Sequence, residues 1–220
     1  MQYAQAIRAE SVKVAVIDYG LGNIGSVTNA LDHLGYSHLR ITSWDTIQPG
    51  CDAFLLPGVG SYPEGMRLLK KSGLDSVIRN LVNDEVPGMG ICLGMQLLAE
   101  WSLEGGERVE GLGYFRGGFK CLNSQDDVVP HTGWSSTCST GRCEPWQSLL
   151  NADFYYVHSY AMAIDSPDQI ATCRHGRVPF SAALSRGKLL GVQFHPEKSQ
   201  ESGLRLMQAF FEQAKGAEKE

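Results

Sequence analysis

Val12-Lys-Val-Ala-Val-Ile-Asp-Tyr-Gly-Leu-Gly-Asn-Ile-Gly25 is the stretch that decides the fold class. Val12 to Ile17 is a short β-branched run and Asp18 to Gly22 a glycine-bearing turn. Beyond it Ile24, Val27, Leu31 and Leu34 recur at helical spacing. The same order of strand, turn and helix returns downstream. Ala53 to Leu56 runs apolar into Pro57-Gly-Val-Gly60, and Leu74, Ile78, Leu81 and Val82 share one helical face before Asp84. Met89-Gly-Ile91 reads as a third strand after Pro87-Gly88, with Leu93 to Trp101 as its helix. Strands alternating with helices predict right-handed crossovers and an α/β fold: an open, mostly parallel sheet flanked by helices.

From Gly105 to Gly191 the pattern changes. Glycines crowd residues 105–118, and Phe154 to Val157, Ile170 to Cys173 and Phe180 to Leu184 form β-rich runs without helices between them, which predicts an antiparallel β-rich insertion. Leu189 to Phe194 is one more apolar strand. Leu204, Met207, Phe211 and Ala214 mark a closing helix with Ser199 as its N-cap. Residues 1–11 and 216–220 lack apolar periodicity and read as flexible tails on a single domain over 12–215.

The 220 residues are 43% apolar and 20% charged, an ordinary globular composition with a core available. Nineteen Lys and Arg against 24 Asp and Glu leave a net charge of −5 and no basic cluster, so nothing here predicts nucleic-acid binding. No stretch approaches the roughly 18 apolar residues of a membrane span. Residues 1–10 contain no signal-like run, so a cytoplasmic protein with its six cysteines as free thiols is expected.

Gly20-Leu-Gly-Asn-Ile-Gly25 matches G-x-G-x-x-G after a strand, with Asp45 twenty residues on as a candidate ribose acid. Asp18 and Tyr19 separate the apolar run from the first glycine, and Asp45 follows polar Thr42-Ser43, so a plain tight turn explains the glycines better. Gly90-Ile-Cys-Leu-Gly94 is a sharper signal. It is G-x-C-x-G at a strand-to-helix junction, the pattern of a nucleophile elbow with a thiol as nucleophile. A helix N-terminus favours thiolate and offers amides to a developing oxyanion. Cys51, Cys121 and Cys173 read instead as buried structural residues.

A thiol nucleophile needs a base. His33, His38 and His175 read as surface residues, whereas His195 ends an apolar strand and is followed by Pro196 and Glu197. On extended chain residues two apart point the same way, which would set Glu197 to orient His195 while the other imidazole nitrogen faces the thiol. In a parallel sheet Cys92 and His195 would both stand at strand carboxyl ends, where open α/β sheets place their sites. Pro57 to Gly60 is the candidate second source of oxyanion donors. His131, Cys138 and Cys143 are zinc-ligand types, but the spacing is loose and no fourth ligand stands out, so no metal and no cofactor is expected.

These residues resemble the class I, triad-type glutamine amidotransferases, and within them the glutaminase subunits of imidazole glycerol phosphate synthases. The resemblance covers nearly the whole chain. It rests on Val16-Ile-Asp-Tyr-Gly-Leu-Gly-Asn23, Leu56-Pro-Gly-Val-Gly60, Gly90-Ile-Cys-Leu-Gly-Met-Gln96, Pro130-His-Thr-Gly-Trp134, Tyr156-Val-His-Ser-Tyr160 and Gly191-Val-Gln-Phe-His-Pro-Glu-Lys-Ser-Gln200. It implies Cys92 as nucleophile, His195 as acid and base, and Glu197 as its orienter. It further implies Gly58, Val59 and the Leu93 amide as oxyanion donors, and Gln96, His158, Ser159 and Tyr160 as the residues holding glutamine. The family's Pro-Gly-Val-Gly strand is held to need a peptide flip before its amide reaches the oxyanion. The implied partner is a (βα)8-barrel cyclase in a heterodimer, fed with ammonia, with Trp134 at the interface. The family reads Pro-His-Met-Gly-Trp-Asn where this chain has Thr132 and Ser135, so a paralogous glutaminase amidating a surface-polysaccharide sugar is an alternative. More distant are a cysteine-dependent ester or lactone hydrolase, which would more often place its acid before its histidine, and a dinucleotide-binding module.

Overall fold

The computed structural model describes residues 12–43, 50–122, 128–141 and 146–216. Asp45, Cys143 and both expected tails lie outside these residues, except Gly216, which closes the last helix. The first half alternates β1 (Lys13–Ile17), α1 (Ile24–His33), β2 (Ser37–Ile41), β3 (Ala53–Gly58), α2 (Tyr62–Ser72), α3 (Leu74–Asn83) and β4 (Gly88–Cys92). Next come α4 (Leu93–Leu97), β5 (Ala99–Ser102), β6 (Val109–Glu110), β7 (Phe115–Cys121), β8 (His131–Ser136), β9 (Cys138–Ser139) and α5 (Trp146–Leu149). The remainder is β10 (Asp153–His158), β11 (Tyr160–Met162), β12 (Gln169–His175), β13 (Val178–Arg186), β14 (Leu189–Val192), a 3-10 turn at Pro196–Lys198 and α6 (Gln200–Gly216).

One eight-stranded sheet runs in the order β2-β1-β3-β4-β14-β13-β12-β9. Its half from β2 to β14 is parallel and the half from β14 to β9 antiparallel. Apolar side chains cover both faces. Val14, Val16, Leu55 and Ile91 pack with α1 and α6 on one side, while Ala15, Ile17, Phe54 and Leu56 pack with α2, α3 and α4 on the other. Burial on both faces is why β3 reads as an unbroken apolar run rather than an alternating one.

Two expectations are corrected here, and one helix is new. The helix expected over Leu93 to Trp101 stops at Leu97, and Ala99–Ser102 is strand β5. The carbonyls of Leu97, Ala99 and Glu100 accept from the amides of Leu112, Gly113 and Gly111, so these residues spend their hydrogen bonds laterally rather than along a helix. The insertion is not wholly antiparallel, since β5 pairs with β7 in parallel within the small sheet β11-β7-β5-β6. Helix α2 was not anticipated, because Pro63 and Gly65 obscure the spacing of Tyr62, Met66 and Leu69.

Candidate active site

Strands β3, β4 and β14 stop at one level, with Gly58 opposite Cys92 and Val192 opposite Ile91. Cys92 is the last residue of β4 and the cap of α4, with φ +52 and ψ −111. A non-glycine residue held at positive φ costs on the order of 1–3 kcal/mol, so the surrounding structure must impose it. It does so by bringing α4 hard against β3: a methyl group on Gly94 would overlap the Leu56 carbonyl oxygen. Cys92 is 6% exposed, with its Sγ 3.7 Å from the Val157 carbonyl oxygen and 3.7 Å from Nε2 of Gln193.

Strand β14 ends at Val192, short of the expected Phe194, and the chain bends so that His195 precedes the 3-10 turn. His195 and Glu197 therefore meet through a turn and not along one extended strand. Nδ1 of His195 and Oε1 of Glu197 are 2.8 Å apart, and both side chains are buried. Nε2 of His195 and Oε2 of Glu197 have no hydrogen-bond partner. Burial opposes a charged imidazole, but the Cys92 sulfur and the Glu197 carboxylate beside it win, pushing the His195 pKa up to about 10. Ser199 does not cap α6 with its side chain. Its hydroxyl donates to the His195 carbonyl at 2.6 Å and accepts from the Tyr155 amide at 2.9 Å, while the His195 amide donates to the Tyr155 carbonyl at 2.8 Å. The histidine turn is thereby braced by one internal hydrogen bond and tied to β10 by two.

A cavity of about 290 Å³ opens in front of the sulfur, lined by Val59, Cys92, Gln96, His158, Ser159 and Tyr160 among others. Gln96 donates from Nε2 to the Tyr160 carbonyl at 3.3 Å and to Oε1 of Gln193 at 3.2 Å. Gln193, fully buried, thus touches both Gln96 and Cys92; sequence reasoning passed over it, although a polar residue amid Gly191-Val-Gln-Phe194 was the available signal. Gly58 and Leu93 adjoin the thiol, but the Val59 amide is turned away from it and donates to the Leu21 carbonyl at 3.4 Å.

His158 sits in a second network. Its Nδ1 lies 3.0 Å from the Tyr160 carbonyl, its Nε2 3.0 Å from Nδ1 of His131, and Nε2 of His131 is 2.8 Å from the Ser135 hydroxyl. Burial pushes His158 down to about 3 and His131 down to about 4. His175 is half-buried, and its ring rests against His131 with centroids 4.7 Å apart. Trp134 is 49% exposed, on β8 opposite Tyr155.

Among the described residues no three His, Cys, Asp or Glu gather closely enough to hold a metal ion. Cys173 is buried as expected, but Cys121 is exposed and Cys51 only half-buried. Just before the Gly20 to Gly25 loop Asp18 accepts from the Gly20 amide at 3.0 Å and pairs with Arg40. The Gly20 amide is thus engaged within the chain and is not left to meet a pyrophosphate.

Residues 15–214 match the family model described as glutamine amidotransferase class-I. Two curated relatives are both named imidazole glycerol phosphate synthase subunit HisH. The one from Pseudomonas putida is 40% identical over 204 residues, covering 90% of this chain and 95% of that protein. The one from Oceanobacillus iheyensis is 39% identical over 202 residues, covering 90% and 98%. Among solved structures, the one titled PurLQS from Thermotoga maritima superposes with a TM-score of 0.73 at 17% identity, covering 92% of this chain and 99% of that one, a likeness of fold alone.

Proposed function

Since the chain belongs to the class I glutamine amidotransferases, we propose that it is the glutaminase subunit of an imidazole glycerol phosphate synthase, releasing ammonia from glutamine for a partner subunit. The observation that carries this reading is a strained Cys92 at the end of β4 beside a His195 whose far nitrogen is held by Glu197. The Cys92 thiolate adds to the side-chain amide carbon of glutamine, and the carbonyl oxygen takes the negative charge. The Leu93 amide, first in α4, and the Gly58–Val59 peptide are the donors for that oxyanion. Collapse breaks the carbon–nitrogen bond as His195 hands its proton to the departing ammonia. His195 then takes a proton from water, which attacks the thioester, and glutamate leaves with Cys92 restored. Glu197 fixes the imidazole's orientation and stabilises its charged form. Gln96, His158, Ser159 and Tyr160 form the wall that holds the amino-acid end of glutamine.

The partner is a (βα)8-barrel cyclase, and the place of action the cytoplasm; among the described residues no helix is long and apolar enough to cross a membrane. A sugar-amidating paralogue is not favoured by the relatives, both of which bear the synthase name. With the Val59 amide engaged by Leu21, the isolated subunit lacks one oxyanion donor, a loss worth a hundredfold or more in turnover (about 3 kcal/mol). Glutamate release by the chain alone should be nearly silent and should rise on adding the cyclase with its nucleotide bound. Trp134→Ala should blunt that rise without unfolding the chain. Rapid turnover without a partner would contradict the gating, and absence of glutamate release under every condition would contradict the function.

A further inference from the structure

Among the buried side chains of the described residues, Tyr19 Oη is one of four polar atoms without a hydrogen-bond partner, beside Tyr62 Oη, His195 Nε2 and Glu197 Oε2. The last two belong to the site. Tyr19 reaches the same place from another direction. It follows the β1 residues Ala15 and Ile17 into the core on the α4 side of the sheet and is 5% exposed. Its hydroxyl occupies the spot where Gly58 would carry a side chain: a Cβ there would overlap it and press on Leu93 Cβ at 2.9 Å and the Gly94 nitrogen at 3.0 Å. Burial, with the Cys92 sulfur and the Asp18 carboxylate nearby, raises the phenol's pKa far above any working pH, so it stays a donor. A buried donor with nothing to donate to is a cost that folded proteins seldom leave standing.

The missing acceptor lies in the adjoining peptide. To serve Cys92, the Val59 amide must leave the Leu21 carbonyl, which means turning the peptide that joins Gly58 to Val59. Half a turn exchanges the directions of its N–H and C=O. The Gly58 oxygen would then face the Leu21 oxygen, a repulsive meeting unless a donor stands there. Tyr19 is two residues from Leu21 along the chain and already lies against Gly58.

We propose that Tyr19 is a positioning residue for glutamine hydrolysis: its hydroxyl donates to the rotated Gly58 carbonyl and so holds the Val59 amide toward Cys92. The inference rests on the glutaminase reading. A ligand-loaded partner can favour the rotated peptide only through a difference in interaction between the two states, and this bond supplies such a difference within the chain itself.

The test is Tyr19→Phe in the full chain, assayed with the cyclase subunit and its nucleotide. Partner-stimulated kcat should fall about tenfold with KM for glutamine unchanged, the size expected of one hydrogen bond made only in the active arrangement. The melting temperature should hold or rise, because the idle state loses an unpartnered hydroxyl, and alkylation of Cys92 by iodoacetamide should proceed at the wild-type rate. Wild-type kcat in the variant overturns the proposal. So does a loss of kcat accompanied by a lower melting temperature or slower alkylation, either of which would make Tyr19 a packing residue or a modulator of the thiol. A wild-type chain that releases no glutamate with the partner present overturns the functional reading itself, and is seen before any variant is compared.

Discussion

His131 donates to His158. The Tyr160 carbonyl can only accept, so Nδ1 of His158 carries the proton and its Nε2 is the acceptor for Nδ1–H of His131, which leaves Nε2 of His131 to accept from the Ser135 hydroxyl. With both rings neutral every member of the chain of bonds is satisfied, and the chain links β8, which carries the exposed Trp134, to the 158–160 segment on the wall of the cavity.

Acid should therefore loosen the molecule early. Both rings hold folded-state pKa values, about 4 and about 3, below the unfolded value near 6.5, so unfolded chains bind protons first as pH falls. Stability is unaffected by either ring above about pH 6.5 and falls below it, down to about pH 4 for His131 and about pH 3 for His158, at up to about 1.4 kcal/mol per pH unit for each ring. Urea unfolding from pH 7.5 to 4.5 should show this slope, and His131→Gln should flatten it. Equal slopes in the two proteins would mean that the pair does not titrate on unfolding.

Cys92→Ala should abolish glutamate release while the circular dichroism spectrum persists, since little volume is removed. Cys92→Gly should be equally dead yet no less stable than Cys92→Ala, because glycine relieves the positive φ at a backbone-entropy cost of roughly 0.5–1 kcal/mol. A clearly less stable glycine variant would argue that the elbow is not strained. The electrophilic analogue diazo-oxo-norleucine should add its mass at Cys92 and not at the exposed Cys121 or Cys138.

Glu197→Gln should lose less activity than His195→Ala, because the base stays in place and only its orienting charge goes. The charge that helps raise the His195 pKa to about 10 would be gone, so the midpoint assigned to the imidazole should move down in a pH–rate profile. Loss as deep as in His195→Ala would give Glu197 a different role.

Gly58→Ala should remove partner-stimulated turnover and lower stability by about 1–3 kcal/mol, since its methyl group would meet Tyr19, Leu93 and the backbone nitrogen of Gly94 together. Only the tyrosine end can move aside. Gly25→Ala, with open space around it, is the control that should leave both unchanged or stabilise α1.

The parts of this molecule that could be read from sequence are those where local chemistry and long-range packing agree. The β-branched run before Asp18 and the G-x-C-x-G around Cys92 each sit at a junction that the sheet requires. Ala99 to Ser102 could not be read, because a helical continuation was locally acceptable and only lateral pairing with distant residues 111–119 overrode it. Ser199 was legible as a polar residue before a helix but not as the bridge between His195 and Tyr155, which are brought together by β10, a strand 40 residues earlier. Gln193 was hidden for a different reason: its partners Cys92 and Gln96 are about a hundred residues away, so nothing beside it in the chain announces what it touches.

The sheet order also sets the sequence in which the molecule comes apart. Strand β4 lies between β3 and β14 with both faces buried, whereas His195 sits beyond the last rung of β14 and depends on Ser199 and Tyr155 for its place. Amide hydrogens of Met89 to Ile91 should exchange with deuterium only through global unfolding, while those of 193–199 should exchange through smaller openings. Warmed below its unfolding transition, the protein should lose its partner-stimulated glutaminase turnover while its slow-exchanging core is intact, and should regain it on cooling. Nucleophile and base would then belong to different layers of the stability hierarchy, and the reaction would fail at their seam first.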